Sequence, residues 1–255
     1  MRAPDELRSL VEGYLLSLDL CDELGDLQDS MRYALSGGGK RIRPVLCLAT
    51  AEAIGCPPER ALPAAAALEL VHSFSLVHDD LPALDDDAER RGRPSTHIQW
   101  GEAVAILAGD ALFGEAVRLA LSYPSPAVAR ELIAATQGMI GGQYLDIKGS
   151  GDLTEVHRLK TGRLFTAAIG LALEVAEVPG SAQAPWRAFA EELGLLFQLV
   201  DDLLDRDGYV LVHGVEETRR LADETAARAQ EKLATIDADT SVLQEIVASL
   251  VARTS

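Results

Sequence analysis

Residues 186–205 read WRAFAEELGLLFQLVDDLLD, and this stretch decides the fold class. Phe189, Leu193, Leu196, Val200 and Leu203 are spaced 4, 3, 4 and 3 residues apart, which is the period of one face of an α-helix. At 100° per residue, Gln198, Asp201, Asp202 and Asp205 fall on the opposite side, within about 100° of one another. One face is therefore expected to enter a core while an amide and three carboxylates point the other way. Upstream, residues 164–178 (LFTAAIGLALEVAEV) are apolar almost all round, the pattern of a central buried helix.

The same period dominates the rest of the chain. Aromatic residues make up 5% and alternating β-branched runs are scarce, so strand signals are weak. Turn residues fall where helices should stop: SGGGK at 36–40, CPPE at 56–59, RGRP at 91–94, SYPSP at 122–126, GSGD at 149–152, PGSAQAP at 179–185 and RDG at 206–208. Helix starts are expected at Ser125 before Pro126, at Asp152 with Glu155 three residues later, and at Pro185. No linker and no shift of composition divides the chain. The expectation is one all-α domain over residues 1–255, with roughly eight to eleven helices of ~10–14 residues.

Charge and cysteine usage narrow the function. Forty acidic residues against 23 basic ones give a net charge of −17. Such a chain repels nucleic acid and anionic membranes, so neither is an expected partner. Cys21, Cys47 and Cys56 form no CxxC pair and leave an odd count, which points to a reducing compartment, here the cytoplasm. The opening MRAPDELRSL is too acidic and polar for a signal peptide. The apolar stretch 103–121 is broken by Asp110, Glu115 and Arg118, so no membrane span is expected.

Two acidic runs abut core-like segments. HDDLPALDDD (78–87) follows VHSFSLV, and DDLLD (201–205) follows FQLV. Like charges a turn apart on a helix cost some tenths of a kcal/mol per pair (~0.2–0.5). A hard cation relieves this, and magnesium takes oxygen ligands while keeping positions for water or phosphate. Asp201 and Asp205 lie one turn apart and can reach one ion. Asp79 and Asp85 are six residues apart, about 240° round a helix, and converge only if Pro82 disturbs the helix between them. Asp86 shares the face of Asp79 but lies roughly 10 Å along the axis, so Asp85 is preferred.

Basic residues gather in spite of the acidic balance. Lys40, Arg41 and Arg43 lie in GGGKRIRP (37–44), and Arg90, Arg91 and Arg93 in RRGRP (90–94). Arginine forks match phosphate oxygens, so cations beside magnesium-type carboxylates suggest a small, strongly negative ligand. The spacing of GGGK is not that of a Walker A loop.

These segments resemble the polyprenyl synthetase family, the head-to-tail trans-isoprenyl diphosphate synthases. The resemblance rests on GGGKRIRP (37–44), HSFSLVHDDLPALDDDAERRGRPSTH (72–97), AVAILAGDALF (103–113), MIGGQYLDI (139–147), LKTG (159–162) and FQLVDDLLD (197–205), which run in family order over residues 8–207. The DDLPALDDD form is similar to bacterial farnesyl diphosphate synthases and plant-type geranylgeranyl diphosphate synthases. The resemblance implies a single bundle of antiparallel helices around a central cavity. It implies a magnesium-dependent condensation of isopentenyl diphosphate with an allylic diphosphate, farnesyl diphosphate being the expected product, geranyl or geranylgeranyl diphosphate the alternatives, and a homodimer the expected assembly. Asp79 and Asp85 would hold two magnesium ions and Asp201 a third, with Asp205 in support. Arg90 and Lys160 would grip the allylic diphosphate, while Lys40, Arg43, His72 and Arg91 would bind isopentenyl diphosphate without metal. Thr161 and Gln198 would lie beside the allylic cation. Phe74 and Ser75, a turn before Asp79, would close the product pocket.

The chain departs from the family pattern after Asp205, where the C-terminal part is shortened. Members carry a Gly-Lys loop and a later Lys-Thr-Tyr-Pro segment there, whereas no lysine occurs between Lys160 and Lys232. Arg206 and His213 are the nearby candidates to replace that charge. The connection between Tyr123 and Thr154 also looks trimmed. A class I terpene cyclase would share the fold but lack the isopentenyl site. A metal-dependent phosphohydrolase using His72, His78 and Asp79 leaves 201–205 unexplained. A non-catalytic partner subunit would have lost metal carboxylates, and none is lost here.

Overall fold

The computed structural model describes residues 1–149 and 152–254. In chain order the helices are α1 Pro4–Leu16, α2 Leu27–Ser36, α3 Ile42–Ala53, α4 Pro58–Asp79, α5 Thr96–Trp100, α6 Glu102–Ala120, α7 Ala127–Lys148, α8 Leu153–His157, α9 Arg163–Val175, α10 Gly180–Asp205, α11 Tyr209–His213, α12 Val215–Ala234 and α13 Ser241–Val251. Among the described residues ten of these have ten or more residues, and the sheet is limited to one antiparallel hairpin, Glu89–Arg90 with Arg93–Pro94. The chain is all-α, as the apolar period requires.

The core forms around α9, which packs against α3, α4, α7 and α10. Its Leu164, Phe165, Ile169, Leu171 and Leu173 are buried, as the all-round apolar pattern implies. On α10 the stripe of Phe189, Leu193, Leu196 and Val200 is buried too. Arg41, in a left-handed conformation (φ 46°), ties the start of α3 to two neighbours. Its buried guanidinium donates to Glu12 at 2.7 Å and Glu69 at 2.6 Å, joining α1 to α4. Arg41 is thus committed to the scaffold, unlike the rest of the GGGKRIRP cations.

Three local expectations change. Ser125 accepts a hydrogen bond from the Ala127 amide at 3.2 Å, so the α7 start lies one residue past Pro126. The α10 start lies at Gly180, which leaves Pro185 inside the helix. Pro185 costs only one bond of the ladder near the helix start, while Trp186 next to it and Phe189 a turn beyond are buried. Pro82 does not bend α4; the helix ends at Asp79, and the chain folds back so that the Asp85 amide donates to the Asp79 carbonyl at 2.9 Å. The turn at 149–152 falls partly on residues outside those described.

Helix α4 is long and apolar enough to cross a membrane, with mean hydropathy 1.2 over its best window, but 61% of that window is buried inside the bundle. This is the behaviour of a core helix.

Between α8 and α9 the chain makes a wide π-helical turn, Arg158–Gly162. Helix α7 crosses it at Gly142. A methyl group there would lie 2.3 Å from the Lys160 amide nitrogen and 2.7 Å from its Cα. Both are backbone atoms that cannot rotate away. Gly142→Ala should therefore destabilise the protein by about 2–3 kcal/mol, lowering Tm by roughly 4–10 °C. An unchanged melting curve would show that the crossing is looser than this.

Candidate active site

A cleft of about 1210 Å³, open to solvent, lies against α4, α7, the π-turn and α10. Asp79, Lys160, Thr161 and Asp201 line it together with apolar Phe74, Met139, Ile140, Leu164 and Phe197. A second cleft adjoins it and shares Arg43, His72, Leu76, Phe197 and Asp201. Lys40, Arg90, Arg91 and Arg253 line that second cleft, so it is strongly cationic.

Both leading carboxylates are unusually weak acids. Burial raises the pKa of Asp79 to about 6; Lys160 and Arg90 oppose the rise, while Asp85 and Asp80 add to it. Burial likewise raises Asp201 to about 6, against the pull of Arg253, Arg43 and Lys40 and with the push of Asp205. Asp85 and Asp205 themselves are exposed. Of the acids in the turn after α4, Asp85 and not Asp86 acts on Asp79.

The cationic side is arranged around His72. Arg43 Nη1 lies 3.3 Å from His72 Nε2, and the guanidinium stacks over Phe165 at 4.7 Å and Phe197 at 5.7 Å. Arg43 Nε is buried without a protein partner. Burial, then the charges of Arg43, Arg91, Arg41 and Arg90, push the His72 pKa well down, so the ring is neutral and Nε2 accepts from Arg43. Arg91 donates to the Gly38 carbonyl. Burial and Arg253 together lower the Lys40 pKa. These are cations short of counter-charge, a setting that favours an incoming anion.

Other expected residues are partly engaged. Arg90 Nε donates to Asp80 at 2.8 Å and Nη2 to Asp87 at 3.1 Å. Lys160 Nζ donates to Asp146 at 2.6 Å. The Ser75 hydroxyl donates to the His72 carbonyl at 2.8 Å, and Phe74 lies edge-on to His78.

Gln198 is placed elsewhere. It lines a separate groove with His157, Arg163 and Gly194, and its amide donates to Asp202 at 2.6 Å. Asp202 is buried and also accepts from the Tyr209 amide at 2.7 Å. The arc of polar residues on α10 straddles two grooves, so Asp201 and Asp205 face one side while Gln198 and Asp202 tie down the turn into α11. A methyl group on Gly208 would meet Asp202 Oδ2 at 2.3 Å, which explains the glycine.

One residue at the site escaped the sequence reading. Arg253 Nη2 lies 3.6 Å from Asp201 Oδ1, and its Nη1 is buried without a protein partner. Arg206 and His213 line neither cleft. Among the described residues the cation paired with Asp201 comes from beyond α13, where no motif marks it.

Among the described residues no three acidic, histidine or cysteine side chains converge closely enough to hold an ion alone. The donors are instead single or paired carboxylates facing a shared cleft. That suits magnesium, which commonly takes one or two carboxylates and completes its shell with water and substrate phosphate.

The model of the polyprenyl synthetase family matches residues 25–214. The chain belongs to the polyprenyl synthetase family. Family members are generally magnesium-dependent. A geranylgeranyl diphosphate synthase of Cyanophora paradoxa is 43% identical over 199 residues, 70% of this chain and 65% of that protein. A farnesyl diphosphate synthase of Bacillus subtilis is 38% identical over 211 residues, 76% of this chain and 70% of that protein. The chain thus spans about two thirds of the length of these curated relatives. A solved FPP/GFPP synthase of Zymomonas mobilis superposes with a TM-score of 0.86 at 30% identity, covering 97% of both chains. This polyprenyl synthetase is a short-chain prenyltransferase.

Folding raises the pKa of Asp79, so the folded chain binds that proton more tightly than the unfolded chain does. The stability of the metal-free protein therefore falls as pH rises from about 4 to about 6. The carboxylate is only partly buried, so the effect is about 1 kcal/mol. With chelator at pH 7.5, Asp79→Asn should melt roughly 2–4 °C above the parent, and the gap should close below pH 4. A lower Tm at pH 7.5 would mean that the carboxylate stabilises the empty fold.

Proposed function

We propose that this polyprenyl synthetase condenses isopentenyl diphosphate head-to-tail with an allylic diphosphate and stops at farnesyl diphosphate. The observation that carries this reading is the pairing of Asp79 and Asp201, both weak acids, in one cleft that runs along apolar side chains and adjoins a cationic cleft.

In this reaction the allylic C–O bond breaks and its electron pair leaves with pyrophosphate. The double bond of isopentenyl diphosphate then attacks the allylic carbon, and a proton departs to restore a double bond. Asp79, Asp85, Asp201 and Asp205 would hold the magnesium ions, three in number. Bound magnesium supplies the charge that stabilises the leaving pyrophosphate. Lys160 and Arg90 add fixed positive charge to the allylic diphosphate. The hydroxyl dipole of Thr161 lies in the same cleft to face the developing cation. Lys40, Arg43 and Arg91 hold the isopentenyl diphosphate, with neutral His72 orienting Arg43. Arg253 contributes the charge that the segment after Asp205 does not bring. Gln198 acts at one remove, by fixing Asp202 and the turn into α11. Phe74 and Ser75 line the end of the cleft and limit the growing tail.

Geranylgeranyl diphosphate is the second reading of the product, supported by the Cyanophora paradoxa relative. The bulk of Phe74 favours the shorter one. A non-catalytic subunit is disfavoured because all four metal carboxylates are present.

The place of action proposed is the cytoplasm, where the cysteines stay reduced. Cys21, Cys47 and Cys56 are free thiols, and burial pushes Cys47 up to about 12, which leaves it unreactive. The proposed assembly is a homodimer through α6 and α7, which expose Ile106, Leu107 and Ile133 outside the cleft lining. Large apolar side chains left exposed on two neighbouring helices favour burial against a like surface.

Incubation with magnesium, isopentenyl diphosphate and dimethylallyl or geranyl diphosphate should yield farnesyl diphosphate by mass spectrometry. Asp79→Ala and Asp201→Ala should each lower turnover by at least ~10³-fold with helicity intact, the scale of a lost transition-state contact. Pyrophosphate release without isopentenyl diphosphate would favour a cyclase instead, and no turnover with any allylic partner would favour a subunit role. Leu107→Asp should convert the dimer to a monomer in light scattering. A parent chain that is already monomeric would remove the dimer from the proposal.

A further inference from the structure

Helices α4 and α6 meet along four side-chain positions that no motif reading pairs. On α4, Phe74 and His78 lie one turn apart, and both line the cleft. On α6, Gly109 and Phe113 lie one turn apart, opposite them. The His78 ring sits in the space that Gly109 leaves open. A methyl group on Gly109 would lie 2.2 Å from His78 Nε2 and 2.5 Å from Cδ2. His78 Nε2 also lies 3.1 Å from the carbonyl oxygen of Ile106, to which it can donate a hydrogen bond. The ring is thus held by the backbone of α6 and not by a neighbour that could rotate away.

Phe74 has two aromatic neighbours in turn. Its ring stands edge-on to His78, with centroids 5.2 Å apart and planes at 87°. Phe113 packs against it at 5.6 Å. Phe113 does not line the cleft; it is partly buried and packs against the core. It can therefore reach a substrate only through Phe74.

We propose that Gly109 and Phe113 determine product length from behind the cleft wall, by fixing the positions of His78 and Phe74. The inference rests on the elongation reading above. An aromatic ring ends a hydrocarbon tunnel sharply only if its rotamer is fixed. A ring free to turn about χ1 would admit one more five-carbon unit in part of the population. Edge-to-face contact with His78 and packing against Phe113 remove that freedom. Gly109 and Phe113 are positioning residues, since neither touches the reacting atoms.

Two variants act in opposite directions. Phe113→Leu keeps an apolar side chain of lesser width and leaves space for Phe74 to swing into, so the main product should lengthen by one five-carbon unit. Gly109→Ala drives the His78 ring out of its recess and into the cleft, so the product should shorten, with geranyl diphosphate accumulating. The readout is the ratio of product lengths by mass spectrometry, taken with KM for isopentenyl diphosphate, which should stay within about twofold of the parent. Phe74→Ala, which should lengthen the product directly, is the control for the assay. If Gly109→Ala does not fold, as judged by circular dichroism, His78→Ala replaces it and should lengthen the product by releasing the edge of Phe74. Folded variants that lose rate yet keep the parent ratio would show a structural role only and overturn the inference. A parent enzyme that elongates no allylic diphosphate would overturn the elongation reading itself, and this inference with it. A parent that makes farnesyl diphosphate, with ratios unmoved in the variants, would overturn the inference alone.

Discussion

The structure depends on two carboxylates held where water can only partly reach them. Asp79 ends α4 and Asp201 lies near the end of α10, and burial makes each reluctant to ionise. Neither has a short, direct ion pair of its own; the nearest cation to Asp201 is Arg253 at 3.6 Å. A protein that needed only stability would have neutralised them. Their cost is carried by the core around α9, and on the proposed function it would be recovered when divalent cations and a diphosphate bind together. The neighbouring cationic cleft is unbalanced in the opposite sense. The two clefts are thus half-completed charge arrangements side by side, one acidic and one cationic.

Much of this was legible in the sequence because the chemistry is written in residue types at helical spacing. The 4-3-4-3 stripe on α10, the all-round apolar α9 and the two acidic runs translate directly into the bundle and its cleft. What failed to translate was orientation within a narrow arc. Asp202 differs from Asp201 by one position, yet it is buried and bonded to the Tyr209 amide, and it takes Gln198 with it. An angular count cannot see the turn after Asp205 that makes this possible. The same limit applied to Pro82: the composition announced a disturbance, while the carbonyl of Asp79 receiving the Asp85 amide shows that the helix stops instead of bending.

Arg253 illustrates a different kind of illegibility. It lies outside every motif, and its neighbours in sequence are ordinary. Only the return of α13 against α10 and α3 brings it to Asp201. Arg41 is the converse case, since a motif suggests a ligand contact but its buried pairs with Glu12 and Glu69 give it to the scaffold. In both cases tertiary packing, not residue type, decides which cation lies beside the acidic pair and which supports the walls.

The wide turn at Arg158–Gly162 has an evolutionary implication. A π-helical turn arises when one extra residue is accommodated within a helix. Here it separates Lys160 and Thr161, which line the cleft, from Arg158 and Gly162, which line the groove on the other side. Loss of a single codon in this turn would let it relax to a regular helix and rotate the side chains before it by about 100° relative to those after it. The bundle would persist while Lys160 or Thr161 turned away. Descendants of such a chain with a remodelled cleft are therefore one small deletion away, and they would be hard to tell from their parent by overall shape.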